Sequence, residues 1–232
     1  MAVFSVVLVT VPPFGAAGES GSAFLKIDGR EAVLRSVELF LNRDEIKQIQ
    51  LVVNPDILEE AKRRHGGHFG FSGVRLLGAS PRFVDQMAAA SEKLSADCTH
   101  VLIHDAARPA VPYTDIKAAL EAGNSESPAT ALAVPVRGAM AQLDEGGNPV
   151  GFVPETSYML VVTPLVLTRA MFMELAKARR DIHASDLTLI KGSPLNARLA
   201  SAADGPMVKA MISMLPKPRS KATGSPFEEA QW

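Results

Sequence analysis

Short apolar runs rich in β-branched residues alternate with helical patterns along most of this chain, and that alternation is its strongest constraint on fold. Predicted strands cover residues 4–11, 49–53, 74–77, 100–104 and 131–136, and predicted helices cover residues 32–41, 57–64, 82–94 and 114–122. Strands that alternate with helices predict right-handed βαβ units. The expected fold class is therefore α/β, with a mainly parallel sheet between two layers of helices.

Local capping residues set the expected ends of the second helix. Asp56 follows Pro55 and has Glu59 three residues later, a spacing that suits a helix N-terminus. The pair Gly66-Gly67 suits a helix end. Two more helices are predicted late in the chain, at residues 167–179 and 206–215.

Composition and charge exclude several classes of protein. The 232 residues carry 24 basic and 25 acidic side chains, a formal net charge of −1, which argues against a nucleic-acid binder or a polybasic membrane-surface protein. No apolar run reaches the roughly 18 residues of a membrane span. The apolar residues 1–11 lack a basic start and favour a buried strand over a signal peptide. The one cysteine, Cys98, is consistent with a cytoplasmic protein.

The pattern changes after Val136. A turn cluster at residues 144–149, Asp-Glu-Gly-Gly-Asn-Pro, separates two short segments and predicts a β-hairpin arm within residues 139–158. Such an arm has little core of its own, so we expect it to pack on a partner chain. The predicted domain is residues 1–215, and the Pro- and Lys-rich residues 216–232 predict a disordered tail.

The stretch His-Val-Leu-Ile-His-Asp-Ala-Ala-Arg-Pro at residues 100–109 is the most specific motif. Ligands of open α/β sheets bind outside the carboxyl ends of strands, where Asp105 is expected. A carboxylate there can hold Mg²⁺, Arg108 can neutralise a phosphate, and Ala106 and Ala107 allow a flat ligand to approach. An alternative is that Asp105 closes the next turn and Arg108 pairs with it.

This stretch resembles the signature of the 2-C-methyl-D-erythritol 4-phosphate cytidylyltransferases, enzymes of the non-mevalonate isoprenoid pathway. The likeness covers about residues 4–215. Further matching positions lie along the chain in the family's order: Gly78-Ala-Ser-Pro-Arg82, Ala133-Val-Pro-Val136, Thr163-Pro164, Asp186, Asn196 and Asp204.

The resemblance implies a nucleotide-diphospho-sugar-transferase-like (Rossmann-like) domain that forms a homodimer through its arm. It implies Mg²⁺-dependent transfer of CMP from CTP to a polyol phosphate, with release of pyrophosphate. Carried over by position, Asp105 is the metal-binding catalytic carboxylate and Arg108 a catalytic residue on the substrate side. Gly78 and Ala106 lie beside the nucleotide, and Arg198 takes the place of a late substrate-binding lysine.

The family's other cation positions hold different residues here. Its loop arginine becomes Gly15 and its loop lysine Ser22; two later cations become Ala141 and Glu155. The glycine-rich residues 15–21 lack the Gly-Lys-Ser/Thr ending of a phosphate-binding loop. Two hypotheses follow: a diverged cytidylyltransferase, or a catalytically degenerate homologue that binds a nucleotide or a protein partner.

Overall fold

The computed structural model describes residues 2–15 and 21–216. Its strands are β1 Phe4–Val9, β2 Lys26–Ile27, β3 Arg30–Glu31, β4 Ile46–Val53, β5 Val74–Gly78, β6 His100–Asp105, β7 Ala129–Pro135, β8 Met140–Leu143, β9 Pro149–Val153, β10 Met159–Thr168 and β11 Thr188–Lys191. Its α-helices are α1 Ala32–Glu38, α2 Pro55–Phe71, α3 Phe83–Ser91, α4 Tyr113–Ala122, α5 Arg169–Ala178 and α6 Gly205–Met214.

Seven strands form one sheet in the order β11-β7-β10-β6-β1-β4-β5. Neighbouring strands pair in parallel except for β10, which runs antiparallel to both β6 and β7. The predicted α/β class with a mainly parallel sheet is confirmed.

Burial on both faces of the sheet explains why its central strands are continuously apolar. On β1, Val6 and Leu8 pack into one hydrophobic cluster with residues of α1 and α4, while Val7 and Val9 pack into a second with residues of α3 and α5. All six residues of β1 are buried. A strand with a helix layer on each side has no solvent-facing side, and the one polar residue of β1, Ser5, is buried and donates its hydroxyl to Gln48.

Helix α2 corrects two predictions. Its N-cap is Asn54, whose side chain accepts the backbone N–H of Asp56, so Asp56 lies inside the first turn instead of at the cap. The helix also continues through Gly66 and Gly67 to Phe71. The packed core includes Phe69, which is 1 % exposed, and burial of this ring outweighs the low helix propensity of two glycines.

Two strands of the main sheet were not predicted. Strand β10 occupies residues that include the start of the helix expected at 167–179, and that helix begins at Arg169 instead. Strand β11 is four residues long and lies at the sheet edge. Strand β10 escaped prediction because Pro164 interrupts its apolar run, and β11 because four residues give too short a pattern.

Strands β8 and β9 pair antiparallel as a separate two-stranded sheet, as expected for the hairpin. The predicted tail lies, apart from Pro216, outside the described residues, as do residues 16–20 of the glycine-rich loop. Across the described ranges, no helix combines the length and apolar character needed to cross a membrane.

Candidate active site

The candidate site lies where four parallel strands end together. The register pairs Val9 of β1 with Asp105 of β6 on one side and with Val52 of β4 on the other, and it pairs Val53 with Gly78 of β5. Asp105 and Gly78 are therefore on the same edge of the sheet, three strand spacings or about 14 Å apart. This edge is where open α/β sheets bind their ligands.

Asp105 is 1 % exposed, and both of its carboxylate oxygens are engaged. Oδ1 accepts the backbone N–H of Ala107 at 2.9 Å. Oδ2 accepts Nε of Arg198 at 2.7 Å and lies 3.7 Å from Nε of Arg108. These contacts are those of the alternative interpretation, in which Asp105 closes its own turn, with a second arginine added.

Two hydrogen bonds join the segment around Arg198 to the turn that contains Arg108. Arg108 donates to the carbonyl of Asn196 at 2.8 Å. Leu199, next to Arg198, donates its N–H to the carbonyl of Ala107 at 2.8 Å. Burial, together with repulsion from Arg198, lowers the pKa of Arg108, and Asp105 opposes this shift. The late segment is therefore tied directly to the turn after β6.

A second set of hydrogen bonds fixes Asp105 from the side of β10. The Thr163 hydroxyl accepts the backbone N–H of Asp105 at 3.0 Å and lies 3.1 Å from Nδ1 of His104. Nε2 of His104 lies 3.0 Å from the carbonyl of Arg108. These partners assign the proton to Nε2, with Nδ1 accepting from Thr163. Burial lowers the pKa of His104 to about 4, so the imidazole is neutral near pH 7 and has a structural role.

Residues 10–13, directly after β1, offer no free backbone N–H to a phosphate. Oε1 of Gln86 accepts the N–H groups of Thr10 at 2.9 Å and of Val11 at 3.3 Å. The next two residues, Pro12 and Pro13, have no N–H. Gln86 is fully buried. The sequence prediction missed this residue; its only signal was a polar side chain among the apolar residues of α3.

The two predicted nucleotide-binding residues differ in accessibility. Gly78 is exposed, and a Cβ there would approach only the terminal Cδ2 of Leu58, at 2.9 Å, a side chain that can move aside. Ala106 is fully buried, donates its N–H to the carbonyl of Val9 and accepts the hydroxyl of Ser36 at its own carbonyl. In this arrangement Gly78 can meet a ligand directly and Ala106 only shapes the turn.

The substituted cation positions are spread over the molecule. Ser22 is 2 % exposed and its hydroxyl is 3.3 Å from an Nη atom of Arg198, beside Asp105. Ala141 is exposed on β8, and Glu155 follows β9, where its carboxylate accepts the N–H of Gly138. Asp105, Arg108 and Arg198 are called the Asp105 group below. Of the substituted positions, only Ser22 contacts this group.

The residues around Asp105 do not fit a resident Mg²⁺. Oδ2 is hydrogen-bonded to one guanidinium and close to a second, which neutralise its charge. Within residues 2–15 and 21–216, no three His, Cys, Asp or Glu side chains gather to hold a metal ion.

Comparison with known proteins decides the family. The sequence model of the family described as "IspD: 2-C-methyl-D-erythritol 4-phosphate cytidylyltransferase" matches residues 12–196. The chain belongs to this family. A curated member from Dehalococcoides mccartyi is 28 % identical over 169 residues, which are 73 % of each chain. Another from Rhodopirellula baltica is 25 % identical over 217 residues, covering 84 % of this chain and 88 % of that protein.

Solved structures agree on the fold. A "4-diphosphocytidyl-2C-methyl-D-erythritol synthase" superposes with a TM-score of 0.73 at 17 % identity, covering 91 % of this chain and 99 % of that one. The cytidylyltransferase from Thermus thermophilus gives 0.69 at 22 % identity, covering 92 % and 100 %. The seven-stranded sheet with its separate hairpin is thus the IspD family fold.

Proposed function

We propose that the chain binds a cytidine nucleotide across the ends of β1, β5 and β6 and transfers CMP from CTP to 2-C-methyl-D-erythritol 4-phosphate, a step of isoprenoid precursor synthesis. Family membership supports the substrates, and the exposed Gly78 supports a ligand lying against the sheet edge. The observation that carries the proposal is the buried Asp105 held between Arg108 and Arg198 at that edge.

In this proposal an oxygen of the polyol phosphate attacks the α-phosphorus of CTP, and the bond to pyrophosphate breaks. Such transfers depend on positioning and on stabilisation of negative charge. Arg108 and Arg198 supply positive charge, and Asp105 orients both guanidinium groups. Because the Asp105 group does not fit a resident Mg²⁺, the metal that the family resemblance implies takes no part in these assignments.

A second candidate is nucleotide or partner binding without transfer. The capped N–H groups of Thr10 and Val11 favour it, because they are withdrawn from any phosphate. Ser22 and Glu155 favour it as well, since an uncharged and an acidic side chain occupy positions where the family resemblance implies cations.

Two measurements distinguish the two candidate functions. Calorimetry measures CTP binding, and pyrophosphate release measures turnover with methylerythritol phosphate. Transfer predicts turnover that falls about 100-fold or more in Asp105→Asn, whereas the exposed control Asp97→Asn leaves it unchanged. Binding without turnover supports the second candidate. No CTP binding at millimolar concentration contradicts both transfer and nucleotide binding, and leaves partner binding as the second candidate.

The cytoplasmic location also stays a proposal, supported by the single cysteine. Cys98 is buried, and burial raises the pKa of its thiol, so the side chain is in its neutral form.

A further inference from the structure

The carboxylate of Asp105 is already paired with a positive group, the guanidinium of Arg198. Asp105 is 1 % exposed, and the side chain of Arg198 is 8 % exposed. A hydrogen bond of 2.7 Å between them joins two buried, opposite charges. Such a pair is shorter and stronger than a neutral hydrogen bond, so the two groups form one unit.

A divalent cation and Arg198 compete for the same oxygen. The second oxygen, Oδ1, already accepts the N–H of Ala107, and Arg108 lies 3.7 Å from Oδ2. A metal ion on Oδ2 would displace Nε of Arg198 or lie beside two guanidinium groups. Like charges so close in a buried site repel strongly.

Hydrogen bonds of the neighbouring residues fix the position of Arg198. Its neighbour Leu199 is bonded to the turn after Asp105, and the Asp204 carboxylate accepts the N–H groups of Ala200 and Ser201. The Ser22 hydroxyl accepts a hydrogen bond from the same guanidinium. The protein's own contacts therefore hold the arginine against Asp105.

We propose that Arg198 takes the place of a divalent cation on Asp105, so that the site binds nucleotide phosphates without Mg²⁺. This inference rests on the nucleotide binding proposed above. Asp105, Arg108 and Arg198 together carry a charge of +1, the sign that a phosphate requires. Guanidinium groups bind phosphate through paired donors, a geometry that a metal ion does not supply.

The first test measures the affinity for CTP in EDTA and in excess Mg²⁺ by calorimetry with the full chain. We expect binding in EDTA to be at least as tight as in Mg²⁺, because the metal only removes charge from the nucleotide. Binding more than about tenfold weaker in EDTA overturns the inference while leaving nucleotide binding intact. Absence of binding in both buffers overturns nucleotide binding itself, and the inference with it.

The second test titrates Mn²⁺ without nucleotide and follows the free ion by electron paramagnetic resonance. The natural chain is expected to show no site at Asp105. Arg198→Ala is expected to bind CTP in EDTA at least tenfold more weakly. Arg198→Lys retains part of that CTP affinity, and the exposed control Arg63→Ala behaves as the natural chain. A Mn²⁺ site in the natural chain that Asp105→Asn abolishes contradicts the inference.

Discussion

His104 is neutral in the folded protein because full burial lowers its pKa to about 4, whereas an unfolded chain titrates near 6.5. Below pH 6.5 the unfolded state takes up a proton that the native state excludes. The free energy of unfolding must therefore fall as pH drops from about 6.5 to about 4, by about 3 kcal/mol for this residue. Urea unfolding across this range measures the loss.

The matched variant for this prediction is His104→Gln, which removes the titrating group. Burial also lowers the pKa of His100, but that contribution is common to both proteins and cancels. Between pH 6.5 and 4 the natural chain is expected to lose about 3 kcal/mol more of its free energy of unfolding than the variant loses. The same pH dependence in both would contradict a neutral, buried His104.

Single residues of the site were predictable where a strand end placed them. Asp105 and Arg108 were located from the motif after β6, because the carboxyl edge of a parallel sheet follows from the alternation of strands and helices. The Arg198 contact was not predicted, since the two side chains are 93 positions apart and meet only through the fold. Gln86 was missed for the same reason, with its partners 75 and 76 positions away.

At the scale of elements, helix α2 contains two interior glycines that lower its stability. Gly66 and Gly67 lie inside the helix, and a Cβ at either position would have no atom within 4 Å. Replacing each by alanine should raise the free energy of unfolding by about 0.5–1 kcal/mol, because alanine loses less backbone entropy on folding. Urea unfolding of Gly66→Ala and Gly67→Ala measures the change.

The control for this prediction lies two residues beyond the helix. Gly73 has φ +68° and equally open surroundings, so its backbone conformation alone should make Gly73→Ala destabilising. Lower stability of Gly67→Ala would show that the helix tolerates its glycines for another reason. The end of α2 was not predictable from local residues. The Gly66-Gly67 pair predicts an earlier end, whereas the helix continues because the ring of Phe69 is buried in the core.

For the whole molecule, the predicted homodimer would bury the exposed apolar side chains of the β8–β9 hairpin. The β8–β9 hairpin is a two-stranded sheet by itself, a unit of marginal stability in water. It exposes Leu143, Val150 and Phe152, the last at 86 %. Exposed apolar residues grouped in this way indicate an interaction surface, which favours a second copy of the chain as the partner.

We expect the chain to sediment as a dimer at micromolar concentration and the Phe152→Asp variant to sediment as a monomer. A charge at the centre of an apolar interface must be desolvated without a partner, which disfavours association. Phe71→Asp is the matched control, because this phenylalanine is 96 % exposed at the end of α2, outside the hairpin. A monomeric natural chain would contradict the dimer, and dissociation by Phe71→Asp in place of Phe152→Asp would move the interface from the hairpin to α2.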